Sequence, residues 1–264
     1  MKTVMGADME TVVELTADTA FKFVCENTVI DDEGREEKRL SGVYADKFIY
    51  PPVGEWCPDA VGQLVMCRNG YHTTTITGLL RWATGDKGEA LYVAETDGDC
   101  RYDSRECKWV NRRMRLVRKV DTWNARSFFL CVMRVAGEVL QSDYFVSVYS
   151  AGTVSGVREY HSVLSAMILP IDVCDCLSYD DSRKIDRQLH REHARIRALI
   201  EYSPAILTCM HYAASDYLDY CFGSRSRRLI LLNVMQTLCQ SDETIVALGR
   251  ERINAIILDI LNGR

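Results

Sequence analysis

Met114–Leu140, MRLVRKVDTWNARSFFLCVMRVAGEVL, holds the change of period on which the fold turns. In its first part Met114, Leu116 and Val120 alternate with arginines, the two-residue repeat of a strand with one covered face. From Asp121 onward Phe128, Val132, Val135 and Val139 recur at helical spacing, with Asp121 or Thr122 placed to cap. Strand texture therefore lies upstream and helix texture downstream.

Upstream, Ala20–Cys25 (AFKFVC) and Leu91–Glu95 (LYVAE) read as strands, the second ended by Asp97-Gly98. Leu64–Cys67 is a short strand candidate closed by the turn dipeptide Asn69-Gly70. Asp31–Lys38 is a charged turn, and Tyr50–Pro58 holds three of the five prolines, too many for regular structure. Thr77–Ala83 reads as a short helix stopped at Gly85.

Downstream, Ser147–Leu169 continues the helical texture to Pro170. Asp181–Tyr202 is a charged amphipathic helix with Ile185, Leu189, Ile196 and Leu199 as its stripe. Pro204–Phe222, Arg227–Gln240 and Asp242–Leu261 follow as helices, with a cap at Ser241-Asp242. The expected class is α+β: a small, mainly antiparallel sheet domain over residues 1–145, then a helical bundle over residues 146–264.

Composition narrows the function. Of 264 residues 47% are hydrophobic, enough for a core and too many for disorder. No apolar run reaches the ~20 residues of a membrane span. Met1–Asp18, with four acids and one lysine, is the reverse of a secretory signal. Eleven cysteines, an odd number, then point to reduced thiols in a cytoplasmic protein.

Reactive groups are scattered. Cys174-x-Cys176 with His190-x-x-His193 is the best zinc set on offer, yet CxC is not the usual knuckle spacing and both histidines lie on an arginine-rich face. No metal is assigned. Neither GxSxG, GxxxxGK[ST] nor GxGxxG occurs, so no catalytic residue and no cofactor is assigned. Arg101–Lys119, including Arg112, Arg113 and Arg115, carries eight bases against two acids, a candidate nucleic-acid strip; the net charge of −5 weighs against it. The densest polar constellation is Asn69–Thr77 (NGYHTTTIT), in which His72 and Thr73 are candidates to line a cleft with Tyr44, Tyr92 and Glu95.

Several of these segments fall in one order: Gly42-Val43-Tyr44, Val53-Gly54-Glu55-Trp56, Cys67-Arg68-Asn69-Gly70-Tyr71-His72, Leu80-Arg81-Trp82, Leu91–Glu95, Asp97-Gly98, Arg113–Val120 and Asp121-Thr122-Trp123. From about Phe21 to Leu140 this order resembles an uncharacterised domain family of small actinobacterial and phage proteins. The resemblance implies such an origin rather than an activity. Gly70–Thr74 followed by Leu91–Glu95 also resembles ADP-ribosyltransferase-like folds. That likeness implies that His72 and Thr73 contact a nicotinamide ribose and that Glu95 or Glu106 polarises it, although no Q-x-E or E-x-E pair follows.

Three expectations result. The first is a non-catalytic, phage-type protein that binds a host or phage protein, such as a defence component. The second is an ADP-ribosyltransferase-like enzyme or a binder of NAD or ADP-ribose. The third is nucleic-acid binding through residues 101–119.

Overall fold

The structure, a computed structural model, describes residues 14–30, 33–43, 48–85, 88–168, 178–200, 204–221 and 227–264. It bears out the α+β class: an antiparallel sheet occupies the N-terminal half and helices follow.

The strands are β1 (Phe21–Ile30), β2 (Glu36–Gly42), β3 (Tyr71–Thr74), β4 (Glu89–Asp103) and β5 (Lys108–Lys119). β4 and β5 form a long hairpin, β5 pairs with β3, and β1 pairs with β4 through Phe21–Cys25. β3 meets β1 at a single pair, Phe21 with Thr74, and the same edge of β1 then pairs with β2 from Val24 to Ile30. The pairings thus run round a ring that is barely closed between β1 and β3. Residues 48–60 bridge it from outside the named strands: the Gly42 amide donates to Phe48 O, and the Cys57 and Ala60 amides donate to Met114 O and Arg112 O of β5.

Alternation divides the sheet into two faces. Phe21, Phe23 and Leu91 point to the helices, while Val24, Ala90, Tyr92, Met114 and Leu116 fill the inside of the curved sheet with Tyr50 and Cys57. The helical side carries α1 (Ile76–Trp82), α2 (Ala125–Val139), α3 (Asp143–Val148), α4 (Ala151–Ile168), α5 (Tyr179–Leu199), α6 (Ala205–Cys221), α7 (Arg227–Gln240), α8 (Asp242–Leu248) and α9 (Arg250–Leu261). One apolar core runs from Phe21, Phe23 and Leu79 through Phe128 and Phe129 of α2 to Tyr217, Leu232 and Ile256. It crosses residue 145 without a break. The same seam carries polar ties: Gln236 of α7 donates to the carbonyls of Leu80 and Ala83 at the open end of α1, at 2.6 and 3.1 Å, and Arg228 donates to Glu89 O at 2.9 Å.

Several local expectations change. β4 passes through Asp97-Gly98, because a bulge there, with Gly98 at φ 74°, absorbs the turn dipeptide without ending the strand. Leu64–Cys67 is a turn held by the Val65–Asn69 bridge. β2 begins inside the segment expected to be a charged turn, with its first four side chains exposed. Asn124, rather than Asp121 or Thr122, caps α2 by accepting from the Ser127 amide, and Thr122 instead donates to Leu261 O. α1 starts at Ile76 from Thr75, which makes no side-chain cap. The last expected helix is two, broken at Gly249 with φ 76°. Leu199 of the expected α5 stripe is exposed, leaving Leu189 and Ile196 buried and Ile185 half-buried.

Candidate ligand cleft

Where β3 peels away from β1, the sheet leaves a cleft of about 630 Å³. Its walls are apolar and aromatic, among them Phe21, Phe48, Tyr50, Tyr71 and Trp82. Its polar groups come from Lys22 of β1, His72 and Thr73 of β3, Lys108 of β5, and Cys67 and Arg68 of the turn before β3. Among the described lining residues there is no carboxylate. In a chain of net charge −5, this is a locally cationic hollow.

Lys22 lies on the inward parity of β1, opposite Phe21 and Phe23. Its Nζ donates to the His72 carbonyl at 2.8 Å and lies 5.9 Å from the Tyr50 ring centre. Burial, then the nearby Lys108 charge, depress its pKa to about 8 against the raising influence of Cys57. Lys108 is itself buried. Its Nζ stands 3.7 Å over the Trp82 ring and donates to Cys67 Sγ at 3.0 Å. Trp82 is in turn fixed by its own N–H bond to Glu106 O at 2.7 Å.

His72 organises the rim. Its Nε2 accepts the Cys67 amide at 2.8 Å, so the neutral ring carries its proton on Nδ1. Burial, reinforced by Lys22 and Lys108, lowers its pKa to about 4. Cys67, at φ 60°, is held in the left-handed region by this bond. Burial likewise pushes the Tyr71 phenol up to about 12, and its OH donates to Pro58 O at 2.7 Å.

Of the residues singled out from sequence, His72 and Thr73 do line the cleft. Thr73 is buried and its Oγ1 accepts from Asn111 Nδ2 at 3.0 Å. Tyr44 lies outside the described residues. Tyr92 and Glu95 do not join them: Tyr92 faces the inside of the sheet and donates to Glu26 at 2.7 Å, and Glu95 is an exposed partner of Arg115 at 2.8 Å. β4 is separated from β3 by β5 on one side and β1 on the other, which sequence distance did not reveal.

Arg112, Arg113 and Arg115 of β5 all have partners within the chain. Arg112 reaches the carbonyls of Ala60 and Gly62, both at 2.6 Å, and pairs with Asp99 at 3.3 Å. Arg113 and Arg115 both cover the Trp56 ring, at 4.7 and 4.8 Å, and face Asp59, Asp97 and Glu95. Their charges are therefore largely matched within the chain. As for the zinc set, Cys174 and Cys176 lie outside the described residues. His193 is half-buried rather than on a solvated face, its ring stacked 4.1 Å from that of His211 on α6. Among the described residues no group of three His, Cys, Asp or Glu is arranged to hold a metal.

Lys22 and Lys108 escaped the sequence reading. A lysine between two phenylalanines on a strand looks like its wet side. The available signal was Val24, an apolar residue of the same parity, which requires Lys22's face to be covered too. For Lys108 there was none before β3 was paired with β5.

Comparison of the chain with family models, with curated proteins and with solved structures found no match. Among the described residues no helix is long and apolar enough to cross a membrane.

Proposed function

We propose that the protein binds a small anionic molecule with a flat or apolar body in the cleft between β1 and β3. The observation that carries this reading is the pairing of two ammonium groups, Lys22 and Lys108, in an aromatic hollow whose described lining has no carboxylate. Its volume lies within the ~300–1,000 Å³ usual for small-molecule sites. An ammonium without a carboxylate partner in a partly dry site is stabilised by an anion, and rings such as Tyr50 and Trp82 take a planar body.

The reading keeps the non-catalytic binding expected from the sequence but moves the ligand from a protein to a small anion. It also contains the chemistry of the NAD or ADP-ribose alternative, a diphosphate joined to rings. Calorimetric titration with ADP-ribose, NAD, pyridoxine 5′-phosphate and an aromatic sulfonate tests it, each against an uncharged counterpart. The charged forms are expected to bind, and Lys108→Gln to weaken them roughly tenfold or more, the scale of a lost charge-assisted contact. Absence of binding by every member, or binding indifferent to both Lys22→Met and Lys108→Gln, removes the proposal.

A further inference from the structure

We propose that Lys22 is a nucleophilic amine that captures the carbonyl carbon of an anionic aldehyde or ketone as an imine, while Lys108 holds the ligand's charge. This rests on the cleft being an anion site and adds a chemical class to its ligand.

The two lysines differ in what surrounds them. Lys108 has its Nζ over the Trp82 face and bonded to Cys67 Sγ. Lys22 has one hydrogen bond among the described residues, from Nζ to the His72 carbonyl. As a neutral amine it keeps that bond through one N–H and still has its lone pair free for the cleft. The groups facing it are Lys108, Cys57, His72 and Tyr50, and no carboxylate stands among the described lining residues to hold it protonated. A lysine desolvated beside a second cation is the usual way an amine is made nucleophilic near neutral pH. With its pKa near 8, Lys22 offers on the order of a hundredfold more free amine at pH 7.5 than an ordinary lysine.

The step balances without an oxidant. The Lys22 nitrogen forms a bond to the carbonyl carbon, and the carbonyl π pair moves to oxygen. The nitrogen then gives up both its hydrogens as the oxygen departs as water, leaving a C=N bond.

The test uses the full chain with pyridoxal 5′-phosphate, an anionic ring aldehyde, followed by borohydride reduction and peptide mapping by mass spectrometry. The expected label at limiting probe is on Lys22, with a rate that rises with pH to a midpoint near 8. Lys22→Arg and Lys22→Met are expected to abolish that label, and Lys108→Gln to slow it at least tenfold. Pyridoxine 5′-phosphate, which has an alcohol in place of the aldehyde, reports anion binding alone. If it binds while the label spreads over other lysines, or Lys22 titrates like an ordinary lysine, the imine is overturned and the binding reading stands. If neither compound binds the folded protein, both fall together.

Discussion

At the cleft rim His72 Nε2 accepts the Cys67 amide, a bond that a second ring proton would block. The unfolded chain takes up that proton near pH 6.5, whereas the folded ring resists it to about 4, because burial, Lys22 and Lys108 all oppose the charge. Between those values the unfolded state binds more protons, so stability is lost as pH falls through this window. Urea unfolding at pH 7 and pH 5 is expected to show this loss. His72→Gln, whose amide oxygen can still accept the Cys67 N–H, is expected to reduce it, and an unchanged difference would contradict the assignment. Two residues earlier, Gly70 turns the chain into β3 at φ 112°, where an added Cβ would lie 2.5 Å from Val110 and 3.1 Å from the Asn111 carbonyl. Gly70→Ala is expected to cost about 1–3 kcal/mol in chemical denaturation, since neither the backbone nor its neighbours can give way.

At the scale of elements, α2 is the centre of the helical side. Ten of its fifteen residues are buried, and Phe129 stacks 4.8 Å from Tyr217 of α6 with the rings almost parallel. Phe129→Ala is expected to cost about 3–5 kcal/mol in urea unfolding, the range for a large buried ring left as a cavity. The seam between α5 and α6 is of another kind. His211 of α6 is bonded through Nδ1 to the Tyr160 hydroxyl at 2.8 Å and stacked on His193 of α5. Burial first, then His193 and His190, hold its pKa down to about 4, against the raising effect of Asp186. Protonation sets like charges face to face, so the same pH window that weakens the cleft rim weakens this seam. Hydrogen exchange of α5 amides, corrected for intrinsic pH dependence, is expected to accelerate roughly tenfold from pH 7 to pH 5, the equivalent of one pKa unit. His211→Phe keeps the stack and is expected to reduce that acceleration.

For the whole molecule, what matters is that the sheet and the helices share one core. Phe128, Val132 and Val135 of α2 are fully buried, in the same cluster as Leu207, Leu231 and Ile256 from beyond residue 145. Further ties reach across: Arg252 forks onto Glu138 at 2.7 and 2.6 Å, and Asn262 bonds both the amide and the carbonyl of Leu15. A chain ending at residue 145 would expose most of α2 to water. It is expected to lack a cooperative thermal transition and to aggregate, as read by circular dichroism and light scattering. A cooperative, monomeric fragment would show that the sheet domain stands alone.

The sequence by itself determined the class and most of the elements, because period is a local property. Met114 and Leu116 alternating in β5, and Phe128, Val132, Val135 and Val139 spaced along α2, face the core as their spacing requires. It also marked His72 and Thr73, whose polar cluster beside Asn69-Gly70 sits on the cleft. Only the tertiary structure decided which charges meet there. Lys22 and Lys108 are far apart in the chain and become neighbours because β3 touches β1 at one residue pair and lies against β5 along its length. Tyr92 and Glu95, which looked closer to His72 in sequence, are carried away by the same pairing order. Periodicity reports which face of a strand is covered; what covers it depends on contacts between segments that no local pattern encodes.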